Sequence, residues 1–251
     1  MDGEVVTKLS RRTLVRAGFA APLALAGCRG SAEPLEEQCK RELLPKLDFP
    51  QLGKYRADNE RLITSKAPIN VVFLGDSITE GWKDKRPAFF STGRIGRGIS
   101  GQTTPQMVLR MMADVVRLKP KAVHIMAGTN DIAGNTGPMT PEMTRDNFRM
   151  MSDIAHARGI KVLVASIPPA ASFPWRPGLE TKKPIAEMNA WLNQFATRSG
   201  ATWVDYRRVL DDGTGSMKPG LAFDGVHPTE AGYDAMATVI DPILLRVLGQ
   251  A

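Results

Sequence analysis

From Ile69 onward the chain alternates short β-rich runs with longer segments of helical period, and that alternation leaves few folds open. Strand, helix and strand in repetition build a parallel sheet with helices on its faces. The spacing predicts strands at about 69–75, 94–99, 121–127, 160–167 and 202–206, the second being weak. The segment from Thr104 sets Met107, Val108, Met111, Met112, Val115 and Val116 in one apolar stripe. A second such segment runs from Thr140 and stops at Gly159, a suitable C-cap. The methionines read as core residues. A last helix is expected from about Thr229 toward Leu248.

At 251 residues, 43% hydrophobic and 24% charged, the chain can bury the core of one compact domain. The formal charge of +7 raises the question of a nucleic-acid partner. Four of the 33 basic and two of the 26 acidic residues lie in the first 27, so the remainder holds 29 against 24, or +5. No long basic run remains and aromatics make up 6%, which argues against a nucleic-acid groove.

The amino terminus reads as an address. SRRTLVR, from Ser10 to Arg16, precedes an apolar run from Ala17 to Gly27 and resembles a bacterial twin-arginine export signal. That run is too short to span a bilayer. It ends in LAGC, residues 25–28, which resembles a lipobox, so Cys28 is the expected lipid anchor. Cleavage at a nearby small residue, giving a soluble periplasmic product, is the alternative. Cys39 is then without a partner, unless the two cysteines form a disulfide. The expected organisation is a signal over 1–27, a tether and lead-in over 28–60, and the folded domain over 61–251. The expected location is the bacterial cell envelope.

Ligands of an open parallel sheet bind in the crevice at the carboxyl ends of its strands. Four polar motifs fall there. GDS at 75–77 follows the first strand, GISGQTT at 98–104 the second and GTND at 128–131 the third, while DGVHP precedes the last helix. Ser77 is the candidate nucleophile, at a helix start where its own N–H is free to donate. His227 is the candidate base, and Asp224, three residues earlier, the carboxylate that fixes its tautomer. The amides of Ser77 and Gly101 and the side chain of Asn130 are candidate donors to an oxyanion. Of the other histidines, His124 lies in an apolar strand and His156 near a helix end, which suits structural or surface roles. Asp131 is a candidate cap for the segment that follows it.

GDSITEGW, SGQTT, GTND and DGVHP, in this order, resemble the four sequence blocks of the SGNH hydrolases, the GDSL esterases and lipases, over about 180 residues. The resemblance implies a flavodoxin-like three-layer α/β/α sandwich with a five-stranded parallel sheet. It also implies a Ser77–His227–Asp224 triad and an oxyanion hole of Ser77, Gly101 and Asn130, with no cofactor or metal. One departure is Gly96, where many relatives carry Asn before RGISG; it predicts an irregular second strand.

The activity expected is hydrolysis of short-acyl esters, acetyl above all, on small molecules or O-acetylated carbohydrates. A lysophospholipase or thioesterase is the alternative. Two other classes compete: a metal phosphoesterase using Asp76, Asp131, Asp224 and His227, and a noncatalytic lipoprotein that binds glycans or lipids. The first lacks paired histidine ligands. The loop Pro168–Gly178 offers Phe173 and Trp175 either as substrate contacts or as pins for a proline-rich loop. AGNTGPMTP, after GTND, is suited to shaping the pocket.

Overall fold

The structure is a computed structural model that describes residues 48–91 and 93–249. The export signal, Cys28, Cys39 and most of the tether lie outside the described residues. Five strands, β1 (Val71–Gly75), β2 (Arg94–Gly98), β3 (Ala122–Met126), β4 (Lys161–Ala165) and β5 (Thr202–Val204), form one sheet. All neighbours are parallel, in the order β2-β1-β3-β4-β5. This is the flavodoxin-type order, in which β1 and β3 flank the point where the winding reverses.

Eight α-helices are described: α1 (Arg56–Ser65), α2 (Ser77–Lys85), α3 (Thr104–Asp114), α4 (Thr129–Ala133), α5 (Pro141–His156), α6 (Lys182–Ser199), α7 (Arg207–Leu210) and α8 (Glu230–Leu248). Successive strand residues point to opposite faces. Val72, Leu74, Val123, Ile125, Val162 and Val164 therefore pack with α3, α5 and α6. Val71, Phe73, Ala122, Met126, Leu163 and Ala165 pack with α2, α7 and α8. Both faces are covered, which is why β1 and β3 are apolar throughout except at His124. His124 points into the second cluster, where its Nε2 lies 2.9 Å from Tyr206 Oη. Burial lowers its pKa to about 3, so it is neutral and structural.

Several expectations are corrected. β2 is regular, its five residues each registered against β1, so Gly96 introduces no irregularity. Gly98 matters more: a Cβ there would lie 2.1 Å from Glu80 N, so only glycine lets α2 pass this close. The helix from Thr104 ends at Asp114 and gives way to a 3-10 turn, Val116–Leu118. Met107, Met111 and Met151 are core, but Met112, Met143 and Met150 are exposed. The sequence reading marked no helix at α6. The lead-in drawn to residue 60 cuts through α1, whose Asn59 is buried and donates to Asp114 Oδ1 at 2.7 Å. Residues 48–60 are packed into the domain.

Candidate active site

β1 delivers the chain to the carboxyl edge of the sheet, and Asp76 turns it into α2 by accepting from Ile78 N at 3.0 Å. Ser77 follows at once, its hydroxyl facing the loop that precedes α8. Ser77 Oγ lies 2.9 Å from His227 Nε2, and His227 Nδ1 lies 2.7 Å from Asp224 Oδ2. The other carboxylate oxygen, Oδ1, accepts from the backbone amides of His227 at 2.7 Å and Val226 at 2.9 Å. Phe223 N donates to His227 O at 3.1 Å and closes this turn. Partial burial pushes the Asp224 carboxyl up, but the backbone and side-chain donors of His227 and the amide of Val226 outweigh it and hold the group below the usual carboxylate range. An ionised Asp224 keeps the imidazole proton on Nδ1, leaving Nε2 free to accept from the serine hydroxyl.

Two backbone amides at this edge of the sheet are left to donate. Among the described residues neither Ser77 N nor Gly101 N has a hydrogen-bond partner. Gly101 has φ +76, a left-handed conformation that glycine adopts without strain. Asn130, buried at the start of α4, brings its side-chain amide to the same edge. Its Nδ2 donates to Gln102 O at 3.0 Å and lies 3.5 Å from Asp76 Oδ2, while its Oδ1 accepts from Asn135 Nδ2 at 2.7 Å. The four sequence blocks thus meet around one point. A hydroxyl with an adjacent base, on an edge that also carries unpaired backbone N–H groups, is an arrangement suited to acyl transfer.

The sequence reading missed the groups that hold these loops in place. Fully buried Arg110 of α3 donates to Gly75 O at 2.8 Å, to Gln102 Oε1 at 2.6 Å and to Asp114 Oδ2 at 3.0 Å. Its place in the sequence was a signal, since it is three residues from Met107 on the buried face. Asp131 does not cap the segment that follows it but joins two helices, accepting from Thr104 N at 3.0 Å and the Thr104 hydroxyl in the first turn of α3, whose N-cap is Thr103, and from the Thr144 hydroxyl of α5 at 3.2 Å. Burial raises its pKa against these hydrogen bonds. Asp76 is pushed up to about 6, by burial first, with the Ile78 amide and His227 pulling the other way.

The sequence matches the GDSL-like lipase/acylhydrolase family over residues 73–235. The chain belongs to that family, and with it to the carboxylic-ester hydrolases. A GDSL-like lipase structure from Bacteroides thetaiotaomicron is 39% identical, with a TM-score of 0.75, covering 79% of this chain and 98% of that one. A GDSL lipase of Mycobacterium tuberculosis is 27% identical over 152 residues, covering 61% of this chain and 62% of its own length. An acetylxylan esterase of Geobacillus stearothermophilus is 25% identical over 199 residues, covering 66% and 90%. YqeF, an uncharacterized lipoprotein of Bacillus subtilis, is 34% identical over 118 residues, covering 39% and 49%. The chain therefore spans under two thirds of the mycobacterial relative.

In this GDSL-type domain the aromatic loop is arranged differently from one of its two expected forms. Phe173 is fully buried, so it does not contact substrate; it belongs to the core and supports the ring above it. That ring is Trp175, stacked on Phe173 at 5.1 Å and 9°, 38% exposed, with its centroid 6.0 Å from the His227 ring. A second ring, Phe223, is 64% exposed and stacked on His227 at 5.6 Å and 20°. Lys85 Nζ lies 5.4 Å from the Phe223 ring centre. Phe223 went unnoticed in the sequence although it directly precedes Asp224. Two aromatic plates thus border the imidazole. A hollow of about 470 Å³, lined by His156, Lys161 and Thr202, lies at the starts of β4 and β5, away from this edge.

Proposed function

We propose that this hydrolase is a serine esterase in which Ser77 is the nucleophile, His227 the general base and acid, and Asp224 the residue that orients the imidazole. The observation that carries the reading is the unbroken line of short contacts from Asp224 Oδ2 through His227 to Ser77 Oγ. Ser77 Oγ adds to the ester carbonyl carbon as its proton passes to His227 Nε2. The carbonyl oxygen becomes an oxyanion held by Ser77 N, Gly101 N and Asn130 Nδ2. Collapse of the tetrahedral intermediate breaks the bond to the alcohol oxygen, which takes the proton from His227. Water then enters, is deprotonated by the same nitrogen and releases the acid from the acyl-enzyme.

The preferred substrates are short-acyl esters, acetyl esters of carbohydrates among them. Trp175 and Phe223 support this, because aromatic faces beside the base suit the flat faces of a sugar ring on the leaving-group side. The acetylxylan esterase relative agrees with it. The protein acts in the bacterial envelope, held by lipid on Cys28. Its support is the leader sequence and the lipoprotein relative, and among the described residues no helix is long and apolar enough to cross a membrane.

A panel of p-nitrophenyl esters from acetyl to palmitoyl, with acetylated xylan oligosaccharides, tests the substrate reading. Activity should be highest on acetyl esters and fall with chain length; equal rates across the series, or none on acetyl, would overturn it. Ser77→Ala and His227→Ala should each lower kcat by roughly 10⁴-fold or more, and Asn130→Ala by about 100-fold or more. Wild-type rates from any of them would remove that residue from its role.

A further inference from the structure

Asn135, in the loop after α4, joins the rim aromatic to the buried amide in a chain of hydrogen bonds with a fixed direction. The Trp175 indole Nε1–H donates to Asn135 Oδ1 at 3.1 Å. An indole nitrogen only donates, so the oxygen of Asn135 must face it. The Asn135 nitrogen is then turned the other way, where it donates to Asn130 Oδ1 at 2.7 Å and to Gly101 O at 3.4 Å. With its oxygen engaged, Asn130 presents Nδ2 to Gln102 O at 3.0 Å and to Asp76 Oδ2, the residue before Ser77, at 3.5 Å. The direction of each bond follows from the one before it.

We infer that Asn135 is a positioning residue, which orients the Asn130 amide and the Gly101 loop, and that Trp175 sets the polarity of this chain through its indole nitrogen. The inference rests on the reading of Asn130 and Gly101 as oxyanion donors. It gives Trp175 a part in the chemistry besides its ring face. An alcohol or sugar seated on the indole lies against the first member of a relay whose last member donates to the oxyanion. Asn135 touches neither nucleophile nor base, and it is exposed, so its replacement should leave the fold intact.

Asn135→Asp separates orientation from shape. The aspartate keeps the size of the side chain and an acceptor for the indole, but offers Asn130 Oδ1 a carboxylate oxygen where it had a donor. Asn130 must then either face that repulsion or turn its nitrogen toward residue 135, away from Gln102 O and Asp76. On p-nitrophenyl acetate, kcat of the Asn135→Asp enzyme should fall about tenfold or more, toward the loss expected for an oxyanion donor, with KM little changed. Asn135→Ala should fall no further than Asn135→Asp, and Trp175→Phe, which keeps a ring but loses the N–H, should lower kcat by a smaller factor. Asn135→Asp added to Asn130→Ala should cost little beyond Asn130→Ala alone, because the two act through one amide.

If Asn135→Asp turns over like the wild type while Asn130→Ala is impaired, the positioning role is wrong and the oxyanion reading stands. If Asn130→Ala is itself unimpaired, the reading beneath the inference fails first. Melting temperatures of all variants within a few degrees of wild type would confirm that the losses are not unfolding; a collapse of Asn135→Asp alone would assign Asn135 a structural role and overturn the inference.

Discussion

Asp224 divides its carboxylate between two tasks, Oδ1 held by the His227 and Val226 amides and Oδ2 placed 2.7 Å from His227 Nδ1. Asp224→Asn keeps an oxygen for the two amides but turns an N–H₂ toward Nδ1. The imidazole then accepts at Nδ1 and carries its proton on Nε2, facing the Ser77 oxygen with nothing to accept the hydroxyl proton. Turnover should fall by roughly 10⁴-fold, as is typical when a triad is forced into the wrong tautomer. Urea unfolding should be close to wild type, and a variant retaining a tenth of the activity would show that Asp224 does not fix the tautomer.

Asp76 makes stability depend on pH in the direction opposite to an ordinary paired carboxylate. Its unfolded pKa is the usual 3.8, and burial raises the folded value to about 6. The folded chain therefore keeps a proton that the unfolded chain releases between those values. The stability from this proton is full below pH 3.8 and is lost as pH rises through about 6. Asp76→Asn retains an acceptor for Ile78 N and does not titrate. The unfolding free energy of wild type minus that of Asp76→Asn should fall by about 3 kcal/mol from about pH 3 to about pH 7. Parallel urea curves across that range would mean that Asp76 is not perturbed.

Tyr55 ties the lead-in to the strand that carries the Gly101 loop, donating its hydroxyl to Gly98 O. Burial, then the charge of Glu80, raises its pKa to about 12, so it stays a donor under all working conditions. The same segment offers Pro50 O to Gln102 Nε2 at 2.8 Å and Phe49 O to Gln106 Nε2 at 2.7 Å. Tyr55→Phe leaves Gly98 O without this donor and should cost about 1–3 kcal/mol in urea unfolding. A chain starting at residue 61 also loses Asn59, the partner of buried Arg97 and Asp114, and should fail to fold. Cooperative unfolding of that truncated chain with wild-type activity would make the lead-in dispensable.

Much of this was legible because the governing signals are local. The apolar runs of β1, β3 and β4 fix the sheet, and strand-end placement alone assigns Ser77, Gly101 and Asn130 to one edge. What escaped was set by contacts distant in sequence. Asn59 looks like an ordinary surface residue until Arg97 and Asp114, 38 and 55 positions away, are seen to surround it. Asp131 reads as a cap for its own segment, and only the fold brings Thr104 to it. Phe173 and Trp175 are alike in a proline-rich loop, and nothing local says which one turns inward.

That last distinction is measurable. Phe173 fills the core under the loop, so Phe173→Ala should cost about 3–5 kcal/mol and lower the melting temperature sharply. Phe223 stacks on His227 from the solvent side with 64% of its surface exposed, and no core residue depends on it. Phe223→Ala should leave unfolding within about 0.5 kcal/mol of wild type. Its effect belongs to binding: KM should rise for acetylated oligosaccharides, whose rings would lie on the lost face, and rise less for ethyl acetate, which has no ring to stack. Equal KM changes for both esters would make Phe223 a general wall of the site and leave ring recognition to Trp175.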